Sequence, residues 1–192
     1  MIASQAIDRS SILRARTKMK LVIPSQKYKK SYLAAEREFF KVGEIKAIER
    51  PYYEMMVKDF SSFLLDEENQ RKGINLRKGR VSQTRYWLID EEEYIGFVSI
   101  RHRLNAHLKQ IGGHIGYQIR PSKRKKGYGT VILKYALQKV KGLGIKKVLI
   151  TCDKSNIGSR KIIEANEGRL IGEFKAPKHK PKILKYWIKI DR

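Results

Sequence analysis

The chain has 192 residues, of which 41% are hydrophobic, and its net charge is +24. This length fits one domain with a sizeable core, and the apolar content argues against wholesale disorder. No run approaches the roughly 18 consecutive apolar residues that a membrane-spanning helix needs. The single cysteine, Cys152, excludes an internal disulfide framework and favours a reducing compartment, so we expect a cytoplasmic protein that does not enter a membrane.

The positive charge indicates what the chain could attract rather than how it folds. Nucleic acid, an anionic cofactor or an acidic surface is each compatible with it, and so is a lysine-rich surface without a partner. The sequence contains no helix-turn-helix, zinc-finger or RNA-recognition signature, and its basic residues are dispersed. A nucleic-acid partner therefore stays open but is not favoured, and the sequence does not separate a monomer from a homodimer.

In chain order, the pattern predicts a mixed α/β domain over residues 19–192 after a poorly ordered extension at residues 1–18. Strands are predicted at Lys20–Ile23, Tyr86–Ile89, Tyr94–Ile100, His114–Ile119, Val148–Cys152, Gly168–Phe174 and Leu184–Ile190. Helices are predicted at Lys27–Phe40, from Pro51 through Leu64, after Gly129 and after Asn156. The charged stretch Asp66–Arg80 is predicted to be a mobile surface loop.

The most informative segment lies between the strand that ends at Ile119 and the next helix. It consists of Arg124, Lys125, Lys126, Gly127, Tyr128, Gly129 and Thr130. A helix that begins directly after a glycine loop presents unpaired N–H groups and the positive end of its dipole. The two glycines leave no side chain in front of those donors, and the three basic residues add charge. The segment therefore predicts a phosphate or pyrophosphate site; a solvated basic turn is the alternative.

Two common phosphate-binding motifs do not match this segment. The loop of kinase-like NTPases is longer and ends in Gly-Lys-Ser or Gly-Lys-Thr, and the dinucleotide fingerprint has three spaced glycines. Arg-x-x-Gly-x-Gly after a strand instead resembles the acyl-coenzyme A loop of the GNAT superfamily of N-acetyltransferases. The element order agrees over about residues 19–190, and Asn156 stands where that superfamily places an asparagine after the next strand.

This resemblance implies a single GNAT-like domain, with a mixed central sheet splayed between its fourth and fifth strands and about four flanking helices. It also implies that acetyl-coenzyme A is the acyl donor, with no metal, and that an amine-bearing acceptor attacks it directly in a ternary complex. Backbone groups near Ile119 would bind the pantetheine arm, and a strand N–H would face the thioester oxygen. Asn156 would hold the pantetheine or the end of its strand.

The sequence departs from the superfamily pattern at one catalytic position. Many members place a tyrosine on the helix after the asparagine, as the acid that protonates the leaving thiolate, and here that position is Ile163. Tyr117, Tyr186 or solvent could supply the proton instead. His114 has suitable chemistry for the base, although a strand histidine is more often structural.

Three further alternatives stay open at this level. His102 with Asn105 could line the acceptor pocket or cap a turn, and Cys152 could carry an acyl group, although no base is recognisable beside it. Without a proton donor near the thioester, the domain would bind acyl-coenzyme A and not transfer the acyl group. The favoured hypothesis is an acetyl-coenzyme A-dependent N-acetyltransferase.

Overall fold

The computed structural model describes residues 19–44, 50–175 and 182–190, so the predicted extension at residues 1–18 lies outside the described residues. The strands in these ranges are β1 (Lys20–Val22), β2 (Gln83–Asp90), β3 (Glu93–Arg101), β4 (Ile115–Ile119), β5 (Lys147–Asp153), β6 (Arg169–Phe174) and β7 (Ile183–Lys189). The α-helices are α1 (Lys29–Lys41), α2 (Arg50–Lys58), α3 (Phe60–Lys72), α4 (Ala106–Gln110), α5 (Tyr128–Lys141) and α6 (Ile157–Glu164). No helix within these ranges is long and apolar enough to cross a membrane.

The strands form two sheets that separate between β4 and β5. One sheet has the order β1-β2-β3-β4 and the other has the order β5-β7-β6, and every pair of hydrogen-bonded strands is antiparallel. The predicted splay between the fourth and fifth strands is therefore confirmed. It is complete enough that the two strands form no ladder, and no single mixed sheet results.

Two hydrophobic cores hold the sheets and helices together. The first core surrounds α5, where Ile132, Leu133 and Ala136 are fully buried against residues of β3, β4, β5 and α6. The second core is aromatic and packs α1 and α3 on the β2–β3 hairpin; the rings of Tyr32 and Trp87 stack with their centroids 4.6 Å apart. The aromatic stripes of the predicted helices are thus core, as their spacing indicated.

The helical region after residue 50 differs from the prediction. Asp59 interrupts the single predicted helix, because its carboxylate accepts the Ser62 N–H at 3.1 Å and caps a new helix, α3. The predicted loop from Asp66 is wrong as far as Lys72, since α3 continues to that residue. Glu67 is buried beside Arg85 of β2, and the two side chains form a 3.0 Å ion pair. One residue of the predicted surface loop therefore faces the interior of the domain.

A network of ion pairs fixes the segment between β4 and α5 to the rest of the domain. The guanidinium of Arg120 contacts Glu38 of α1 at 2.6 Å and Glu93 of β3 at 3.1 Å. Burial opposes ionisation of Glu38, but its hydrogen bonds from Arg120 and Ser122 outweigh this effect and lower its pKa to about 2. The glycine loop that follows is therefore held at the end of β4.

Candidate active site

The predicted phosphate site lies at the N-terminus of α5. Gly127 is the N-cap residue, with φ of 82°, and no side chain caps the helix. The first turn contains no acidic residue, and Lys125 and Lys126 are exposed beside it. Because the first N–H groups of a helix have no acceptor within it, this end suits a pyrophosphate. The residues present therefore fit the anionic part of coenzyme A.

Arg124 was expected to contribute positive charge to the phosphate site, but in this structure it binds a carboxylate. Its guanidinium forms two hydrogen bonds with the Glu44 carboxylate, with 2.7 Å between Nη2 and Oε2, and its Nε donates to the Ile119 carbonyl at 3.0 Å. Glu44 raises the pKa of Arg124, more than burial lowers it. The Arg124 charge is therefore paired in this structure, and its side chain ties the end of β4 to the segment after α1.

The remaining residues of the loop contact neighbouring elements or continue the helix. Tyr128 donates its hydroxyl proton to Asp90 at 2.8 Å, so its ring is turned toward the β2–β3 turn. Gly129 is buried, and a Cβ there would lie 2.3 Å from Ile162 Cδ1 of α6. Gly129 therefore permits the close contact between α5 and α6. The Thr130 N–H donates to the Gly127 carbonyl at 3.1 Å and continues the helix.

Three polar side chains meet across the gap between β4 and β5. The hydroxyl of Tyr117, on β4, lies 2.9 Å from Ser159 Oγ, on α6. Burial raises the pKa of Tyr117 to about 12, although its bond with Ser159 opposes this shift. Burial also raises the pKa of the Cys152 thiol, on β5, against a hydrogen bond from Ser159. At neutral pH all three groups therefore carry their protons.

His114 is the residue that joins the two strands. Its N–H donates to the Leu149 carbonyl at 2.7 Å, and its Nδ1 accepts the Leu149 N–H at 2.9 Å. Burial lowers the pKa of the imidazole, and the charge of Arg101 lowers it further. The neutral ring therefore carries its proton on Nε2.

The other predicted residues lie around the gap. Asn156 is exposed and caps α6, its Oδ1 accepting the Ser159 N–H at 2.9 Å. Tyr186 is buried on β7 and donates its hydroxyl proton to Glu164 at 3.0 Å. Ile163 is fully buried in the first core, which accounts for an apolar side chain at that position.

The residues proposed for the acceptor pocket have local partners. Asn105 caps α4, because its Oδ1 accepts the Leu108 N–H at 2.9 Å, and its amide nitrogen donates to the Gly79 carbonyl. His102 Nε2 lies 2.8 Å from Thr84 Oγ1. Within the described part of the chain, no group of three His, Cys, Asp or Glu side chains could hold a metal ion.

Comparison with known proteins identifies the family. Residues 45–169, more than half of the chain, match the acetyltransferase (GNAT) domain. The chain belongs to the GNAT acetyltransferase family. It is therefore an acyltransferase that uses acetyl-coenzyme A as its donor and acts on an amine. No curated protein matches its sequence significantly.

Solved structures share the fold of this GNAT domain at low sequence identity. RimL, a ribosomal L7/L12 α-N-protein acetyltransferase solved with coenzyme A, is 16% identical with a TM-score of 0.67, over 92% of this chain and 97% of that one. The microcin C7 self-immunity acetyltransferase MccE, solved with acetyl-coenzyme A and AMP, is 19% identical with a TM-score of 0.65, over 90% and 93%. A Salmonella typhimurium acetyltransferase that modifies the N-terminal serine of L7/L12 is 15% identical with a TM-score of 0.63, over 91% and 96%.

One residue of this site, Ser159, was not predicted from the sequence. It stands three residues after Asn156, whose side chain caps the same turn of α6. A serine at this position of a helix is usually one more capping or solvated hydroxyl, and the sequence pattern did not indicate that Tyr117 would reach it. Only the separation of β4 from β5 brings the two hydroxyls together.

Two glycines at opposite ends of α5 allow a matched test of the phosphate site. Gly127 and Gly144 both have left-handed backbone conformations, with φ of 82° and 70°, and a Cβ at either has nothing within 4 Å. Leucine at either should cost about 1–3 kcal/mol of backbone strain. We expect only Gly127→Leu to abolish the rise in melting temperature that coenzyme A produces, because its side chain would stand at the helix N-terminus. Equal coenzyme A affinities in both variants by calorimetry would contradict the assignment.

Proposed function

We propose that this GNAT enzyme transfers the acetyl group directly to a primary amine, with the Tyr117–Ser159 hydroxyl pair as the source of the proton that the leaving thiolate takes up. The observation that carries this proposal is the 2.9 Å contact between the two hydroxyls, which joins β4 to the first turn of α6. Coenzyme A, when bound, supplies the activated thioester. Gly127, Tyr128 and the exposed lysines of the loop would hold its pyrophosphate.

The state of Cys152 supports direct transfer over an acyl-enzyme. A thiol is nucleophilic as its thiolate, and burial raises the pKa of Cys152. Its hydrogen-bond partner, Ser159, is not a base. The amine nitrogen therefore forms the new bond to the acetyl carbon while the carbon–sulfur bond breaks, and no protein group carries the acetyl in between.

Proton transfer needs a donor and an acceptor. A hydroxyl whose pKa is raised stays protonated throughout the working range, so the Tyr117–Ser159 pair is a donor at every assay pH. One hydroxyl gives its proton to the sulfur and takes up a proton from the other, and water, which has accepted the amine proton, reprotonates the pair. His114 has no lone pair free in its neutral form, because Nδ1 accepts from Leu149 and Nε2 carries the proton. This supports water as the acceptor of the amine proton.

The acceptor that we propose is the α-amine of a protein or peptide of neutral or acidic character. Two of the similar structures are described as N-terminal acetyltransferases of a ribosomal protein. The net charge of +24 repels cationic acceptors such as polyamines and attracts acidic ones. A cytoplasmic location stays a prediction from the single cysteine.

Four variants test the proton donor. Ser159→Ala and Tyr117→Phe should each lower kcat by about 10²–10⁴, the usual contribution of a placed acid, and leave coenzyme A binding unchanged. The double variant should fall little further, because the two hydroxyls act as one unit. Tyr186→Phe makes the same chemical change at a hydroxyl paired with Glu164, and it should keep its kcat. A loss in Tyr186→Phe with none in the other variants would overturn the assignment.

A peptide panel tests the acceptor. Peptides that share their first residues but carry acidic or basic bodies, each with a free and a blocked N-terminus, should be assayed by release of coenzyme A. We expect acetylation of the free α-amines only, with kcat/KM highest for the acidic bodies and the difference shrinking as salt screens the field. Faster acetylation of the basic peptides at low salt, or acetylation of the blocked ones, would contradict this proposal.

A further inference from the structure

The chain turns sharply just before β4. Gly112 and Gly113 both have positive φ, at 107° and 60°, in the range that favours glycine. A Cβ on Gly113 would lie 2.3 Å from the Leu149 carbonyl oxygen and 3.1 Å from the Ile150 Cα. Glycine therefore lets the main chain of this turn rest directly on the main chain of β5.

Arg101, at the end of β3, holds this turn from the other side. Its Nη1 donates to the carbonyl oxygens of Gly112 and Gly113, at 3.1 and 2.9 Å, and its own N–H donates to the His114 carbonyl at 2.8 Å. Burial, then the nearby charge of Arg80, lowers the pKa of Arg101. A partly buried guanidinium that binds two carbonyl oxygens fixes the conformation of the turn.

His114 completes the connection, because one residue satisfies both main-chain groups of Leu149. In the described residues, its N–H bond to the Leu149 carbonyl is the one bond between main-chain atoms of the segment 112–119 and of β5, and the Gly112 N–H donates to the Thr151 hydroxyl of β5 at 2.8 Å. The imidazole Nδ1 occupies the place that a carbonyl of a paired strand would take. We call Arg101, Gly112, Gly113 and His114, with Leu149, the clasp.

We propose that the clasp positions the active site: Arg101 and His114 set the point at which β4 leaves β5, and so the placement of Tyr117 against Ser159. Tyr117 stands three residues beyond His114, and Cys152 stands three residues beyond Leu149. At a rise of roughly 3.3 Å per residue, the hydroxyl pair lies about 10 Å along the strands from the clasp. A small rotation at the clasp therefore displaces the hydroxyl of Tyr117.

The expected effect of the clasp on turnover rests on the proposed function. The hydrogen bonds that form the clasp do not depend on it. The proposal also assigns His114 a role through Nδ1, whereas a general base would act through Nε2. Asparagine and glutamine separate these two nitrogens. An asparagine amide oxygen lies close to the position of Nδ1, and a glutamine side chain reaches that of Nε2.

The test compares His114→Asn with His114→Gln. His114→Asn keeps an acceptor for the Leu149 N–H, so we expect kcat within about 3-fold of the unmodified enzyme. His114→Gln should lose about 10–100-fold in kcat, the effect of a displacement of about 1 Å. Arg101→Met is the second variant, and we expect a similar loss, with Arg101→Lys recovering part of it.

A measurement that does not depend on turnover accompanies the assay. Exchange of the Leu149 amide hydrogen, followed by NMR, should be slow in the unmodified protein and in His114→Asn but faster in His114→Gln. Fast exchange in the unmodified protein would overturn the clasp itself. Slow exchange in the unmodified protein, with equal, large losses of kcat in both His114 variants, would overturn the positioning role. An unmodified enzyme that exchanges slowly but acetylates no amine would contradict the proposed function and leave the clasp intact.

Discussion

Main-chain polar groups at the edge of a strand need partners, and β4 and β5 offer each other almost none. Beyond the two bonds between His114 and Leu149 and the bond from the Gly112 N–H to the Thr151 hydroxyl, each strand is paired, among the described residues, only on its outer side, to β3 or to β7. Edges of this kind cost free energy when they are covered without hydrogen bonds. The amide groups of a pantetheine arm have the chemistry that suits such edges, so we propose that the arm binds in this gap.

The features on either side of the gap follow from this separation. Residue Tyr117 reaches Ser159 because no β5 ladder blocks the space between them. At the far end of β4, the chain continues through the glycine loop to the N-terminus of α5. The fully paired Arg124 contributes to this geometry by fixing the end of β4, so the exposed lysines and the helix N–H groups are left to attract phosphate.

The features that could be predicted from the sequence are those that depend on residues close together in the chain. The order of the strands and the position of the glycine loop were predicted, because periodicity and glycine spacing determine them over short distances, and the splay after the fourth strand was implied by the resemblance to the GNAT superfamily. The helix through Lys72 was missed, because the buried pair between Glu67 and Arg85 depends on a contact between distant parts of the chain. Composition alone cannot show which charged residue of a charged stretch lies inside.

In the active site, too, features set by nearby residues were predicted, whereas contacts between distant residues were not. The residues of the phosphate loop could be named from sequence, but the partner of Arg124 could not, since Glu44 is 80 residues away. The strand that carries His114 was predicted, whereas its bond to Leu149 depends on the twisted turn at Gly112 and Gly113. Ser159 had no signal of its own, because its proximity to Tyr117 exists only once the two sheets have separated.

The central claim is that the open edges of β4 and β5 bind the cofactor. Amide hydrogen exchange of residues 115–119 and 150–153, compared with and without coenzyme A, tests this most directly. We expect coenzyme A to slow exchange at amides on both strands that face the gap, together with those of Gly127, Tyr128 and Gly129, while amides of β6 do not change. Binding of coenzyme A with no change in the exchange of either strand would contradict it.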